Sequence, residues 1–184
     1  MMKTVYETNR LKLVLADISI AKDLVLYYQR NKDFLRAFEP LREESFYTFD
    51  YQQKLLQNEM NQIKDDSSYR FYIYEKRDFN RIIGMIGLNN IVRGAFQSCF
   101  LGYKLDCEKQ NIGYMTEAVL ECTRIAFEEL HLHRIEANVM PRNTPSLRVL
   151  EKCGYQNEGI SKNYLNINGT WEDHIHMVCI NQSY

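Results

Sequence analysis

Apolar residues recur along this chain with two different spacings, and each spacing predicts one type of element. They alternate with polar residues over 11–15, which predicts a strand, and fall three to four apart over 17–30, which predicts an amphipathic helix. Residues 34–48 show neither spacing and are predicted to be irregular. A second helix is predicted at 49–63, and the polar segment 65–68 ends it.

The middle of the chain predicts three strands, at 70–75, 81–89 and 95–105. The turns between them are short, and strands joined by short turns form an antiparallel meander. Five further elements follow: a helix after Gly113, a strand at 133–140, a helix at 146–153 and two strands at 155–166 and 170–180 that the turn Asn168-Gly169 joins. This order predicts an α+β domain with one mixed sheet.

The stretch 102–118 points to a ligand. It indicates the end of a strand, a polar turn, Gly113 and then a helix, because the apolar residues that follow fall mostly three or four apart. A glycine turn that leads into a helix presents unpaired N–H groups at the positive end of the helix dipole, which suits a phosphate group. Such turns also occur without any ligand, so other segments have to decide.

Composition limits the classes of function. The 184 residues suffice for one domain, 1–184, and the net charge of -1 provides no field that would attract nucleic acid or an anionic membrane. The number of cysteines is odd, five, and no Cys-x-x-Cys pair occurs, so we expect reduced thiols and no zinc site. The N-terminus lacks an apolar targeting segment, and no apolar run is long enough to span a bilayer. We therefore expect a cytoplasmic protein.

Several motifs together resemble one family. Gln110-x-x-Gly113-x-Met115 resembles the pyrophosphate loop of the GNAT (Gcn5-related) N-acetyltransferases, and residues 140–155 resemble that family's Pro-x-Asn-x-x-Ser segment. Residues 82–103 and 171–174 resemble its third, fourth and closing strands. Segments 34–45 and 92–96 resemble the RimJ/RimL branch, closest to the ribosomal-protein-alanine type. Nearly the whole chain is covered, which implies a GNAT fold: a mixed, mostly antiparallel sheet of about seven strands flanked by about four helices.

The resemblance implies acetyl-CoA as co-substrate and direct attack of an amine on the thioester. It assigns cofactor binding to these residues: Tyr103, Leu105, Gln110, Asn111, Ile112, Gly113, Tyr114, Met115, Asn143 and Ser146. The strand ending at Leu105 is expected to part from the one that carries residues 136–139, and a backbone N–H near Tyr103 or Leu105 would polarise the acetyl carbonyl. Relatives often have Gly-Lys where this chain has Asn111-Ile112; Lys109, Arg148 or Lys152 could supply the missing cation.

The catalytic roles follow from the same resemblance. Ser146 is the expected proton donor to the leaving thiolate, although Ser146 as a helix N-cap and Asn143 in a turn also make local sense. Some relatives place a glutamate base where this chain has Asn163, so Glu39 and Glu44 are fallback bases, acting through water. Surface carboxylates, or binders of a cationic N-terminus, are the commoner roles for such residues. An α-amine has a pKa of about 8, so a water relay could suffice.

The leading expectation is acetylation of the N-terminal α-amine of a protein, a ribosomal protein beginning with Ala or Ser. Two alternatives stay open: acetylation of a small amine such as a polyamine, amino acid or antibiotic, and a CoA-binding ribosome-assembly factor without catalysis. His174 and His176 share one strand direction but have no third ligand, so no metal is expected. The protein could be a monomer or a homodimer.

Overall fold

The computed structural model describes residues 2–183 and joins eight strands in one sheet. The strands are Val5–Glu7 (β1), Leu11–Leu15 (β2), Tyr69–Glu75 (β3), Asp78–Val92 (β4), Ser98–Leu105 (β5), Arg134–Val139 (β6), Gln156–Ile167 (β7) and Thr170–Ile180 (β8). They lie in the order β1-β2-β3-β4-β5-β6-β8-β7, and every neighbouring pair is antiparallel except β5 and β6. The expected α+β class and mixed sheet are confirmed, with eight strands because the short β1 pairs with β2.

Four α-helices cover the two faces of the sheet. They are Ala21–Leu35 (α1), Phe49–Lys64 (α2), Tyr114–Arg124 (α3) and Thr144–Lys152 (α4). The helix expected at 17–30 is displaced, because Asp17 caps a separate 3-10 turn, Ile18–Ile20, and α1 starts only after it. One π-helical turn, Ile125–Glu129, continues α3. In the described part of the chain, no helix combines the length and apolar character needed to span a bilayer.

Side chains alternate across the sheet and divide the core in two. On β6, Ile135, Ala137 and Val139 are buried in one cluster with residues of α3 and α4. Glu136 and Asn138 therefore project to the other face, the face that α1 and α2 cover. We call these the α3–α4 face and the α1–α2 face. The same alternation on β5 decides which side chains border the candidate site.

Candidate active site

The site is built around a gap between β5 and β6. The two strands pair from Ser98–Arg134 to Phe100–Glu136 and no further, although β5 continues to Leu105 and β6 to Val139. The expected parting of these strands is confirmed. Since unpaired backbone groups need a partner, the gap can accept an extended ligand with amide groups of its own.

Backbone groups of β5 point into this gap. The N–H of Asp106, just past the end of β5, donates to the carbonyl oxygen of Ile83 on β4 at 2.7 Å. Backbone N–H groups alternate sides along a strand, so those of Leu105 and Tyr103 point away from β4 and towards β6. Tyr103 and Leu105 thus each present a backbone N–H at the gap, where it could donate to an oxyanion.

Two hydroxyl groups meet on the α3–α4 face of the gap. The Tyr103 hydroxyl lies 2.8 Å from Ser146 Oγ and 3.1 Å from the Ser146 carbonyl oxygen. Burial raises the pKa of Tyr103 well above its usual value, and the Ser146 contact offsets only part of that rise. Tyr103 is therefore a neutral donor at physiological pH. The pairing of Tyr103 with Ser146 leaves no local pattern in the sequence, which predicts a role for the Tyr103 backbone only.

Asn143, not Ser146, caps helix α4. The Asn143 side-chain oxygen accepts from the Ser146 N–H at 3.3 Å, so the suggestion that Ser146 is the N-cap is wrong, and so is the predicted helix start at 146. Ser146 instead lies in the first turn, where its hydroxyl is directed to Tyr103. The cap leaves Ser146 Oγ available for other chemistry.

The glycine loop, residues 110–115, has the backbone conformation that binding of a phosphate group needs. Gly113 is the N-cap of α3 with φ of 82°, and within residues 2–183 no side chain caps the helix there. Asn111 also has a positive φ, 60°, which its residue type tolerates. The first N–H groups of α3 have no intrahelical partner, and the helix dipole makes the electrostatic potential around them positive.

The other predicted loop residues contribute mainly backbone. Met115 is buried in the core and offers only its N–H, whereas Ile112 is exposed. Gln110 ends the 3-10 turn before the loop. The Tyr114 hydroxyl donates to Glu75 Oε1 at 2.6 Å. None of these side chains supplies a cation.

Arg10 is a cation at the loop that sequence analysis missed. Its guanidinium donates to the carbonyl oxygen of Ile112 at 2.8 Å, pairs with Glu117 at 2.7 Å and stacks on the Tyr114 ring. Lys109, one of the expected substitutes, is instead paired with Glu75 at 2.6 Å. The hundred residues that separate Arg10 from the loop hide this contact from any local pattern.

The two candidate carboxylates both have lysine partners. Glu39 lies 2.5 Å from Lys104 on β5, and the pair is largely sheltered. Glu44 lies 2.6 Å from Lys32, and its side chain is 84% exposed. Lys104 neighbours Tyr103 and Leu105 but projects to the α1–α2 face. Glu39 is therefore close to the gap, whereas Glu44 is on the outer surface.

A hollow of about 320 Å³ lies beside Glu39, between the end of α1 and the 3-10 turn Glu44–Tyr47. Its charged lining is balanced: Lys32, Arg36, Arg42, Asp33, Glu39 and Glu44. The β7–β8 turn holds the intervening loop, since Asn168 bonds the backbone of Leu41 at 2.7 Å and those of Arg36 and Glu39 at 3.2–3.3 Å. Among residues 2–183, no three His, Cys, Asp or Glu side chains are grouped so that they could hold a metal ion.

Comparison with known proteins identifies the family. Residues 10–156 match the model of the acetyltransferase (GNAT) domain. The chain is 41% identical over 165 residues to the Bacillus subtilis (strain 168) protein named "Probable N-acetyltransferase YjcK", covering 90% of this chain and 91% of that one. It is 38% identical to the [ribosomal protein uS5]-alanine N-acetyltransferase of Escherichia coli (strain K12), covering 91% and 86% of the two chains.

A solved structure agrees with these relatives. The ribosomal-protein-S5-alanine acetyltransferase of Vibrio fischeri superimposes with a TM-score of 0.93 at 34% identity, covering 99% of both chains. The chain belongs to the GNAT family of acetyltransferases. The expected N-acetyltransferase class and the resemblance to ribosomal-protein-alanine acetyltransferases are confirmed.

Proposed function

We propose that this protein transfers the acetyl group of acetyl-CoA to the N-terminal α-amine of a protein, a ribosomal protein with Ala or Ser at its N-terminus. The observation that carries the proposal is the gap after Phe100–Glu136, with two backbone N–H groups on its β5 edge. Pantetheine amides would complete the open backbone bonds, and the glycine loop would hold the pyrophosphate. A ribosomal acceptor would place the reaction in the cytoplasm.

The proposed chemistry uses two groups on the gap. A backbone N–H of Tyr103 or Leu105 would stabilise the oxyanion formed when the amine attacks the thioester carbonyl. Ser146, aligned by Tyr103 at 2.8 Å, would then give its proton to the departing thiolate. The Asn143 side-chain oxygen caps α4, so Asn143 would contact CoA through its amide nitrogen.

The balanced charge of the hollow supports a peptide acceptor over a polyamine. A polycation requires several carboxylates without partners, whereas Glu39 and Glu44 are each paired with a lysine. A peptide N-terminus brings a single positive charge, which either pair could accommodate by rearranging. The names of the Escherichia coli and Vibrio fischeri relatives support the same acceptor class.

The test is release of CoA thiol with two acceptor panels. One panel holds short peptides that begin with Ala, Ser or Met, each with an N-terminally blocked copy as control; the other holds polyamines and free amino acids. We expect turnover of the unblocked peptides alone, with mass spectrometry placing the acetyl group on the terminal nitrogen. Turnover confined to small amines would refute the proposal. CoA binding with no turnover on either panel would favour the non-catalytic alternative.

A further inference from the structure

Three side chains on the α1–α2 face form a hydrogen-bonded chain that the assignments above do not use. Glu136 Oε1 lies 2.7 Å from His176 Nδ1, and His176 Nε2 lies 2.7 Å from Ser161 Oγ. When Nδ1 carries the ring proton and donates it to the carboxylate, Nε2 accepts the hydroxyl proton of Ser161. This is the arrangement of base and orienting carboxylate that makes a hydroxyl group a relay for protons.

The chain of side chains lies at the edge of the gap. Glu136 is the last β6 residue that pairs with β5, and His176 on β8 pairs with Asn138, two residues further into the gap. The His176 and Glu136 side chains are 19% and 16% exposed, so they are sheltered but accessible. An acceptor amine that approached the gap from the α1–α2 face would meet them.

Asn138 provides a second, independent observation. In the described part of the chain its buried side-chain oxygen has no hydrogen-bond partner, while its amide nitrogen donates to the Tyr164 hydroxyl at 3.3 Å. A buried acceptor without a donor is unfavourable, so native structures seldom leave one unless a ligand completes it. Continuing the β5–β6 register would bring Asn138 opposite Gly102, which has no side chain to fill the space. An amine N–H is a donor of the required size.

Charged and aromatic groups surround His176. Burial would raise the pKa of Glu136, but hydrogen bonds from His176 and Arg134 outweigh it and hold the pKa below its usual range. Glu136 is therefore an anion beside the imidazole. Arg134 on β6 also binds Glu158 on β7, which neutralises much of its charge. The Tyr164 ring packs against His176 and also against His174.

We propose that Glu136, His176 and Ser161 receive the proton that the acceptor ammonium loses, and that the Asn138 side-chain oxygen orients the same nitrogen. This inference rests on the proposed function. An N–H bond of the ammonium breaks and its proton passes to Ser161 Oγ, directly or through one water, while the Ser161 hydroxyl proton moves to His176 Nε2. His176 and Glu136 act through Ser161 and are positioning residues.

One bond forms and one breaks at the thioester once the amine is neutral. The nitrogen lone pair forms a bond to the thioester carbonyl carbon, and the C–S bond breaks with its electrons on sulfur. Of the two protons that the nitrogen loses, one rests on His176 until it passes to solvent. The other replaces the proton that Ser146 gives to the thiolate. Glu39 and Glu44 are not needed as bases, which agrees with their lysine partners.

The test compares His176→Gln with His174→Gln, which removes the neighbouring histidine of the same strand. His174 Nδ1 hydrogen-bonds to the backbone oxygen of Glu172 and the His174 ring packs against Tyr164, so His174 is not a member of the chain Glu136–His176–Ser161. We measure kcat/KM from pH 6 to 10 for a peptide that begins with Ala, and confirm folding by thermal melting. His176→Gln should lose activity towards low pH, about tenfold near pH 7, where about a tenth of an α-amine is neutral. It should recover to within about threefold above pH 9, where the amine is already neutral. His174→Gln should show a loss that does not change with pH.

Ser161→Ala is the second variant and should show the same loss at low pH, which keeps the inference testable if His176→Gln does not fold. A loss that is uniform across the pH range in both relay variants, or no loss, overturns the relay. Recovery at high pH in His174→Gln as well would also overturn it. The wild-type enzyme is assayed first: no peptide turnover refutes the proposed function, whereas normal turnover with unshifted variant profiles refutes only this inference.

Discussion

Replacing Gly113 with alanine tests the phosphate-loop assignment, and Gly94→Ala is its matched control. Both glycines have left-handed backbone, with φ of 82° and 71°. A side chain in that conformation costs about 1–2 kcal/mol. Neither added methyl group is crowded by the described residues: at Gly113 the nearest of their atoms is Arg10 Nη2 at 3.4 Å, and at Gly94 none of them lies within 4 Å. Both variants should therefore lose similar stability, a fall in Tm of about 2–8 °C for a domain of this size.

Only the Gly113 variant should lose CoA affinity. Relief of the strain rotates the peptide groups on either side of residue 113, which turns their N–H groups away from the N-terminus of α3. Losing one hydrogen bond to a charged phosphate costs about 1.5–3 kcal/mol. Since about 1.4 kcal/mol corresponds to a factor of ten, the Kd for CoA should rise about 10- to 150-fold. Gly94 lies in the β4–β5 turn, at the end of β5 away from the loop, so its variant should bind CoA as the wild type does.

Isothermal titration with CoA and thermal melting of the same three proteins give both quantities. A Gly113→Ala protein that melts with the Gly94→Ala control and binds CoA within about twofold of the wild type would refute the phosphate-loop assignment, because the backbone strain would have been introduced without any effect on the ligand.

Three further substitutions test other contacts. In steady-state assays Ser146→Ala should lower kcat about 100-fold with little change in the KM for acetyl-CoA; a rise in that KM alone would indicate a binding role. Asn168→Ala should raise the peptide KM about 3- to 10-fold and leave CoA affinity unchanged, because Asn168 holds the loop at 36–41; an unaltered peptide KM would contradict this.

Asp106→Asn, followed by urea unfolding, should lower stability at pH 7 by about 2 kcal/mol. Burial would raise the pKa of Asp106, but hydrogen bonds from the Glu108 N–H, Arg81, Arg30 and Asn31 lower it from 3.8 to about 2. The stabilisation by the ionised Asp106 carboxylate is complete above about pH 4 and is lost as the pH falls towards 2. A difference in unfolding free energy between the two proteins that persists near pH 2 would contradict this assignment.

Local patterns predicted the fold where each element has enough residues to show a spacing. The strand Thr170–Ile180 has the predicted bounds, because the turn Asn168-Gly169 marks its start. Val5–Glu7 was missed because three residues are too few for a period, and only pairing with β2 makes them a strand. The predicted helix start at Asp17 is wrong, because a capping aspartate looks the same in sequence before a 3-10 turn as before an α-helix.

The site was predictable only where its residues are neighbours in sequence. The glycine loop and α3 are contiguous, so residue type and spacing located them together. The pairing of Tyr103 with Ser146 spans 43 residues and that of Glu136 with His176 spans 40, and neither separation leaves a local signal. Strand β6 carries a weak local signal: the polar Glu136 and Asn138 alternate with buried apolar residues and so mark the other face as polar.

Strand geometry places the two proposed proton transfers on opposite faces of one gap. Tyr103 projects to the α3–α4 face, where Ser146 would contact the sulfur of a CoA molecule held by the glycine loop. Glu136 projects to the α1–α2 face, where the hollow and the loop that Asn168 holds would present the amine. Since successive side chains of a strand point in opposite directions, an acid and a base placed this way lie on opposite sides of the sheet and do not donate directly to each other. Each can then keep the protonation state that its own step requires before the substrates meet in the gap.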